Sequence, residues 1–211
     1  MLRYEKEAAQ NGFRFILGID EAGCGPLAGP VVAAAVYLTS HEFKLPVNDS
    51  KQMTPKSREA AFHEIFERGH VGVGIVSEAA IDQINILNAA HLAMEHAVVR
   101  LMRRLPAEVT VSPDFGRQVF LLVDGSRFQA QVPYPHKTIV KGDAKSLSIA
   151  CASIVAKVCR DRIMEHYDRV FPQYGFKQHK GYPTESHRRA IKIHGPSRIH
   201  RKSFSLLGEK Q

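Results

Sequence analysis

The sequence predicts a mixed α/β fold, in which helices flank a central β-sheet. Short apolar segments that end at glycine or aspartate alternate along the chain with longer segments of helical periodicity. No internal repeat, low-complexity segment or linker divides the 211 residues, which are enough for one domain with a full hydrophobic core. We therefore expect residues 1–211 to form a single domain, with a basic C-terminal portion over residues 172–211.

Five segments have the composition of β-strands, at residues 13–20, 30–38, 70–77, 118–125 and 136–143. A glycine-rich stretch joins the first two and suits a hairpin-like connection. The fourth segment is apolar on both faces, which predicts an internal position in the sheet.

Four helices are expected between and after these strands. The first begins at Pro55, behind the N-cap residue Thr54, and stops at Gly69. Apolar residues recur at helical spacing over residues 79–105, which predicts one long helix. Another long helix is expected over residues 144–171, and a short one over residues 185–193.

The charge distribution favours an anionic partner. The formal net charge is +8, and the segment from Lys177 to Lys202 is dense in Lys, Arg and His and nearly free of acids. Such an asymmetric basic surface is typical of proteins that bind nucleic acid.

Other features exclude several classes of protein. The three cysteines, Cys24, Cys151 and Cys159, form no C-x-x-C pair, so neither a zinc site nor a disulfide framework is expected, and a reducing compartment fits better. No apolar run reaches the ~18 residues that a membrane-spanning helix needs. The N-terminal segment lacks the apolar core of a signal peptide. We expect a cytoplasmic protein, and a monomer, since no heptad pattern or exposed apolar stripe calls for a partner.

Acidic residues stand where the predicted strands end. Asp20 ends the first strand, Asp124 ends the fourth, and Asp143 follows the fifth at the entrance to a helix. Clustered carboxylates repel one another and need cations, and oxygen ligands without Cys or His favour Mg²⁺ or Mn²⁺. Glu21 would point to the opposite face of a regular strand from Asp20, so it can join the site only if the strand breaks between or just after the two.

Three of these acids also have a simpler explanation. Asp143 could cap the following helix, Asp124 could be an ordinary turn residue, and Glu21 could be a surface charge. Three acids at strand ends in a strongly basic chain favour the metal site. The segment "NDSK", residues 48–51, is left open as a phosphate-contacting loop or a turn.

Seven blocks stand in order along the chain: "GIDEAGCGPLAGPVVAAAV", "NDSKQMT", "INILNAAHLAM", "LLVDG", "KGDAKSLSIACASIVAKVCRDR", "YGFKQHKGYPTESHRRAI" and "HRKSF". Together they resemble bacterial ribonuclease HII, the type 2 ribonucleases H, from about residue 14 to about residue 205. The related type 3 enzymes usually carry a G-K-G version of the first loop, which is absent here.

The resemblance implies a ribonuclease H-like fold with a C-terminal helical extension. It implies an endoribonuclease that hydrolyses RNA in RNA–DNA hybrids and nicks duplex DNA on the 5′ side of embedded ribonucleotides. Two-metal catalysis with Mg²⁺ or Mn²⁺ would leave 5′-phosphate and 3′-hydroxyl ends. The family's catalytic, metal-binding acids correspond to Asp20, Glu21, Asp124 and Asp143, which the strand-end argument also selects.

The resemblance also implies a substrate-binding set. The backbone of Gly23, Cys24 and Gly25 would read the 2′-hydroxyl, and Tyr182 would pack on the sugar of the following deoxynucleotide. Lys51 and Lys180, with the basic C-terminal portion, would contact phosphates.

One residue departs from the family pattern. The family usually has arginine at the position of Cys24, and a thiol cannot replace the contact of a guanidinium with phosphate. Either a neighbouring Arg or Lys compensates, or the substrate binds more weakly. Two rival hypotheses are a hybrid-binding protein without turnover and another nuclease of the same broad fold, such as a junction resolvase.

Overall fold

The structure, a computed structural model, describes residues 1–44, 47, 50 and 52–208. Its strands are β1 (Phe15–Ala22), β2 (Val31–Leu38), β3 (Gly69–Val76), β4 (Val119–Asp124) and β5 (His136–Ile139). They form one mixed sheet in the order β3-β2-β1-β4-β5. β1, β4 and β5 run parallel to one another, whereas β2 pairs antiparallel with both β1 and β3. The hairpin-like relation of the first two strands and the internal position of β4 are therefore confirmed.

Helices cover both faces of this sheet. They are α1 (Arg3–Gln10), α2 (Pro55–Arg68), α3 (Glu78–Ile84), α4 (Ile86–Met102), α5 (Ala107–Thr110), α6 (Leu147–Val170), α7 (Phe176–His179) and α8 (Glu185–His194). α4 builds a buried apolar cluster with one face of the sheet, and α2 and α6 build another with the opposite face. The predicted sheet flanked by helices is confirmed, as is the C-terminal helical region, whose core centres on Phe176 and Ile191.

Glycines in the strands let the helices approach the sheet closely. A Cβ atom on Gly74 of β3 would collide with the carbonyl oxygen of Ala93 in α4, and one on Gly18 of β1 would collide with the backbone of Ser148 in α6. These two glycines set the distances at which α4 and α6 pack on the sheet. Gly18 thereby also sets the position of the side chains that α6 directs toward the strand ends.

The predicted helix over residues 79–105 is wrong as a single element. Asn85 interrupts it with a φ of 65°, and its side chain accepts a hydrogen bond from the N–H of Asn88, so it caps a new helix. α2, by contrast, begins as predicted: Thr54 caps it, Pro55 is its first residue, and it ends at Arg68. Gly69, predicted as the stop, is already the first residue of β3.

Two strand ends also differ from the prediction. β1 does not end at Asp20 but runs to Ala22, because β2 remains paired with it as far as Ala22↔Val32. β5 ends at Ile139 instead of continuing to Asp143. α6 begins at Leu147 with Ser146 as its capping residue, so Asp143 is not the cap of this helix.

α1 has no counterpart in the sequence-based prediction. Glu5 of this helix is buried, and its Oε1 accepts hydrogen bonds from the hydroxyl of Ser146 at 2.6 Å and from the N–H of Ser148 at 3.0 Å. The N-terminal helix thereby stabilises the start of α6.

The helices of the described part of the chain are all too short or too polar to cross a membrane.

Candidate active site

Asp20 and Asp124 lie side by side at one end of the sheet. The parallel pairing of β1 with β4 ends at Ile19↔Val123, and the two acids are the next residue on each strand. The carboxylate of Asp20 is buried and accepts hydrogen bonds from the N–H of Glu21, at 2.7 Å, and from Ser153. Burial, followed by the negative charges of Glu21 and Asp124, raises the pKa of Asp20 well above its usual range.

A tight turn brings Asp143 to the same end of the sheet. Lys141 adopts a left-handed conformation with a φ of 56°, and Gly142–Ala144 form a single 3₁₀ turn. The N–H of Gly142 donates to Oδ1 of Asp124 at 2.6 Å. Asp143 follows directly and is buried. The acid of this turn is therefore anchored next to the acid of β4.

Glu21 starts from the other face of the sheet. Asp20 pairs with Ala34, which belongs to the core on the α6 side, whereas Glu21 pairs with Ala33, in the core on the α4 side. The chain leaves the strand at Gly23, where φ is 105°. The strand thus breaks just after both acids. Asp20 and Glu21 can serve one site if the strand breaks either between them or just after them.

The thiol of Cys24 contacts Glu21. It donates a hydrogen bond to Oε1 of Glu21 at 3.5 Å. Burial, together with the charge of Glu21, raises the pKa of Cys24 to about 12. The thiol therefore stays protonated at neutral pH and brings no charge to the loop.

The acids of this strand end suit a hard divalent cation. Carboxylate oxygens are the ligands that Mg²⁺ and Mn²⁺ prefer, and a divalent cation would offset the negative charges of Glu21 and Asp124 that, after burial, raise the pKa of Asp20. Among residues 1–44, 47, 50 and 52–208, no three His, Cys, Asp or Glu side chains are already arranged to hold a metal ion. The carboxylates at the strand ends fit such a cation as ligands. To complete its coordination, their side chains would turn toward it.

A cavity of about 430 Å³ opens beside Glu21. Gly23, Cys24 and Gly25 line it together with Tyr182, whose side chain is 42% exposed. A Cβ atom on Gly25 would lie 3.7 Å from the tyrosine ring. The structure thus brings the glycine-rich loop and the tyrosine together next to one of the acids.

Four polar or charged residues that the sequence analysis did not assign to the site also line this cavity: Ser50, Arg58, Ser153 and Lys157. The hydroxyls of Ser50 and Ser153 are 2.8 Å apart, and Nζ of Lys157 lies 5.9 Å from the ring centre of Tyr182. Ser153 and Lys157 are four residues apart on a largely apolar helix, which puts them on the same face. That spacing is the signal from which they could have been found.

The two predicted lysines are less closely connected with the cavity. Lys51 lies outside the described residues. The ammonium of Lys180 donates to Oε1 of Glu165 at 2.8 Å and to the carbonyl of Lys177 at 2.7 Å. These two contacts engage two of the three N–H donors of the ammonium.

Comparison with known proteins gives consistent matches over most of the chain. A family model described as Ribonuclease HII matches residues 17–207. A protein named Ribonuclease HII from Magnetococcus marinus is 47% identical over 196 residues, which cover 93% of this chain and 87% of the relative. Another of that name, from Acetivibrio thermocellus, is 50% identical over 206 residues, covering 97% of this chain and 75% of the relative.

Solved structures share the fold. A chain of the PCNA:RNase HII complex from Archaeoglobus fulgidus has a TM-score of 0.72 and 25% sequence identity, over 94% of this chain and 98% of that chain. Bst-RNase HIII, solved in complex with Mn²⁺, has a TM-score of 0.67 at 19% identity, over 95% of this chain and 70% of that chain.

Proposed function

The chain belongs to the ribonuclease HII family and is therefore a metal-dependent endoribonuclease that hydrolyses RNA in RNA–DNA hybrids; we propose that it also nicks duplex DNA on the 5′ side of single embedded ribonucleotides. One observation carries this proposal. Glu21, adjacent to Asp20, lines the same cavity as the glycine-rich loop and Tyr182. A phosphodiester that lies across this cavity would meet the acids and the groups that distinguish RNA from DNA at one point.

In this proposal the acids at the strand ends hold two Mg²⁺ or Mn²⁺ ions. Bound there, the ions would supply an activated water and stabilisation of the departing 3′ oxygen. The ligands would be Asp20, Glu21, Asp124 and Asp143. Hydrogen bonds from Ser153 to Asp20 and from the N–H of Gly142 to Asp124 orient two of these carboxylates before any ion arrives. Hydrolysis would leave 5′-phosphate and 3′-hydroxyl ends, without a covalent intermediate on the protein.

Recognition of the ribonucleotide would fall to the loop and the tyrosine. The 2′-hydroxyl is the one group that separates RNA from DNA locally, and backbone groups of Gly23, Cys24 and Gly25, which line the cavity together with Glu21, would contact it. Tyr182, which is 42% exposed, would pack on the sugar of the following deoxynucleotide. The protonated thiol of Cys24 supplies no phosphate contact, which leaves this role to other cations.

The basic C-terminal portion, residues 172–211, would hold the nucleic acid backbone, and Lys51 and Lys180 would add phosphate contacts. The cysteines of the described chain are free thiols, which supports a cytoplasmic location. We infer that the working form is a monomer, as the sequence predicts.

The catalytic part of the proposal is tested with Asp124→Asn. This change should lower nicking of a duplex with one ribonucleotide on the order of 10³-fold, since a metal-ligating charge is lost. Hybrid binding, measured by gel shift, should remain largely unchanged. Asp114→Asn is the matched control, because Asp114 is exposed and pairs with Arg117 at the surface.

Cleavage assays with the wild-type protein test the proposal as a whole. Nicking that requires Mg²⁺ or Mn²⁺ supports it. An intact protein that binds hybrids at low salt but cuts nothing with either ion would be a hybrid-binding protein instead. Cleavage of all-DNA junctions would assign it to another nuclease class.

A further inference from the structure

Two arginines are buried beneath the glycine-rich loop, residues 23–30. Arg160 of α6 is 1% exposed and Arg201, near the C-terminus, is 0% exposed. Burying a guanidinium is costly unless its donors are satisfied. Both side chains direct their donors to backbone carbonyl oxygens instead of carboxylates. Carbonyls satisfy the donors without neutralising the charge, so two positive charges stay behind the loop.

Arg201 holds the loop at both of its ends. Its Nη2 donates to the carbonyl of Gly23 at 2.6 Å, and its Nη1 donates to that of Cys24 at 3.1 Å. Its Nε donates to the carbonyl of Gly29 at 3.0 Å. The planar fork of a guanidinium makes these contacts simultaneously, which a single ammonium cannot do.

These contacts fix the direction of the loop's N–H groups. In a trans peptide the C=O of one residue and the N–H of the next point in opposite directions, and the bonds after Gly23 and Cys24 are trans. Because Arg201 draws both carbonyls inward, the N–H groups of Cys24 and Gly25 point away from it. Cys24 and Gly25 line the cavity beside Glu21, whereas Arg201 is not among its described lining residues, so N–H groups directed away from Arg201 are available to a ligand in the cavity.

Arg160 connects the same loop to the tyrosine segment. Its Nε donates to the carbonyl of Pro30 at 3.0 Å, its Nη2 to that of Ala28 at 3.0 Å and its Nη1 to that of Lys180 at 2.9 Å. The guanidinium lies 6.0 Å from the ring centre of Tyr182. One side chain therefore sets the distance between the loop and the tyrosine.

The glycines of the loop leave the space that the arginines occupy. A Cβ atom on Gly23 would collide with Nε of Arg160 and would lie 2.8 Å from the carbonyl oxygen of Pro30. Gly23 also has a φ of 105°, which side chains rarely allow. Arg160 can thus lie beneath the loop only because residue 23 has no side chain.

We propose that Arg160 and Arg201 are positioning residues for ribonucleotide recognition. They hold the glycine-rich loop and Tyr182 in a fixed relative position, and they place two positive charges behind the N–H groups of the loop that point away from Arg201. This inference rests on the proposed function. The two buried charges would also favour an anionic backbone on the cavity side of the loop, where the Cys24 thiol brings no charge.

Lysine replacements remove the planar, multiple-donor geometry of the guanidinium but keep its positive charge. Arg160→Lys and Arg201→Lys should each shift the ratio of kcat/KM for a single-ribonucleotide duplex to kcat/KM for a continuous hybrid about tenfold against the single ribonucleotide. The reason is that a lone ribonucleotide depends on the exact spacing of loop and tyrosine. Arg104→Lys is the matched control, because Arg104 also donates to a strand carbonyl, that of Val71, at the far edge of the sheet.

Hydrogen exchange by mass spectrometry shows where a variant acts. In both lysine variants, residues 23–30 and 180–184 should exchange faster, whereas β2 should exchange as in the wild type. An unchanged cleavage ratio in folded variants, or the same shift in Arg104→Lys, would overturn the inference. Loss of the global fold in both variants would also overturn it, since the arginines would then be purely structural. A wild-type protein that cuts neither substrate would instead refute the proposed function.

Discussion

Asp20 shows how a single residue connects the fold with the metal site. It is 4% exposed at the end of β1, and burial and the charges of Glu21 and Asp124 raise its pKa. An acid whose pKa is raised in the folded state opposes folding once the pH exceeds its unfolded value, and this penalty is absent below that value. A carboxylate kept at this energetic cost is typical of a site that is completed by a cation.

We therefore expect Asp20→Asn to stabilise the metal-free protein. Asparagine can still accept the hydrogen bonds from Glu21 and Ser153 but carries no charge. The free energy of unfolding in EDTA at pH 7.5, measured with urea, should rise by on the order of 1 kcal/mol. Added Mg²⁺ should stabilise the wild type more than the variant. A less stable variant in EDTA would mean that the carboxylate has a favourable partner in the apo protein.

At the scale of elements, the α3–α4 junction shows how local chemistry overrides a periodic pattern. The apolar spacing continues through the junction, yet Asn85 has a φ of 65° and ends one helix while its side chain caps the next. Asparagine tolerates this conformation better than other residues with side chains, and its side chain is a strong N-cap. The break lets α4 turn onto the glycines of β3.

Substitutions of Asn85 separate the contribution of its side-chain cap from that of its positive φ. Asn85→Ala should lower the free energy of unfolding by about 2 kcal/mol, since it loses the cap and keeps the unfavourable φ. Asn85→Gly should cost less, because glycine adopts this φ freely. Urea denaturation measures both. Equal stability of alanine and wild type would show that the helices are continuous in solution.

At the scale of the whole molecule, buried histidines connect the C-terminal portion with the recognition segment. The carbonyl of Tyr182 requires Nδ1 of His187 to be the donor, so its Nε2 accepts from Nε2 of His200, 3.0 Å away. Nδ1 of His200 then accepts from the N–H of Ser197 at 2.9 Å. This chain exists only while both rings are neutral. Burial accordingly lowers the pKa of each to about 4.

This arrangement predicts an acid-sensitive fold. The unfolded chain binds these two protons near pH 6.5 and the folded protein only near pH 4, so stability should fall as the pH decreases through this window. Urea midpoints between pH 7 and 4 measure the slope. His200→Gln should flatten it, whereas His63→Gln, at an exposed position, should not. An equal slope in all three proteins would show that the histidine pair does not set the pH response.

Much of the molecule follows from local sequence. Alternation of short apolar segments with helical periodicity predicts the sheet and its flanking helices, Thr54 and Pro55 predict the start of α2, and the acids of the strand ends are visible as residue types in position. These features depend on neighbours in the chain, so they can be read from it. Several boundaries were wrong: cross-strand pairing extends β1 to Ala22, β5 ends at Ile139, and a side-chain cap divides the helix at Asn85.

Long-range packing decided the rest. The roles of Ser153 and Lys157 at the cavity, and of Arg160 and Arg201 beneath the loop, depend on contacts between residues 20 to 178 positions apart. A buried arginine is indistinguishable by type from an exposed one, and only the fold determines whether its donors meet water, a carboxylate or a backbone carbonyl. The sequence by itself determined the strands, most of the helices and the candidate acids, whereas the tertiary structure decided which groups meet, because burial and hydrogen bonding are properties of the assembled chain.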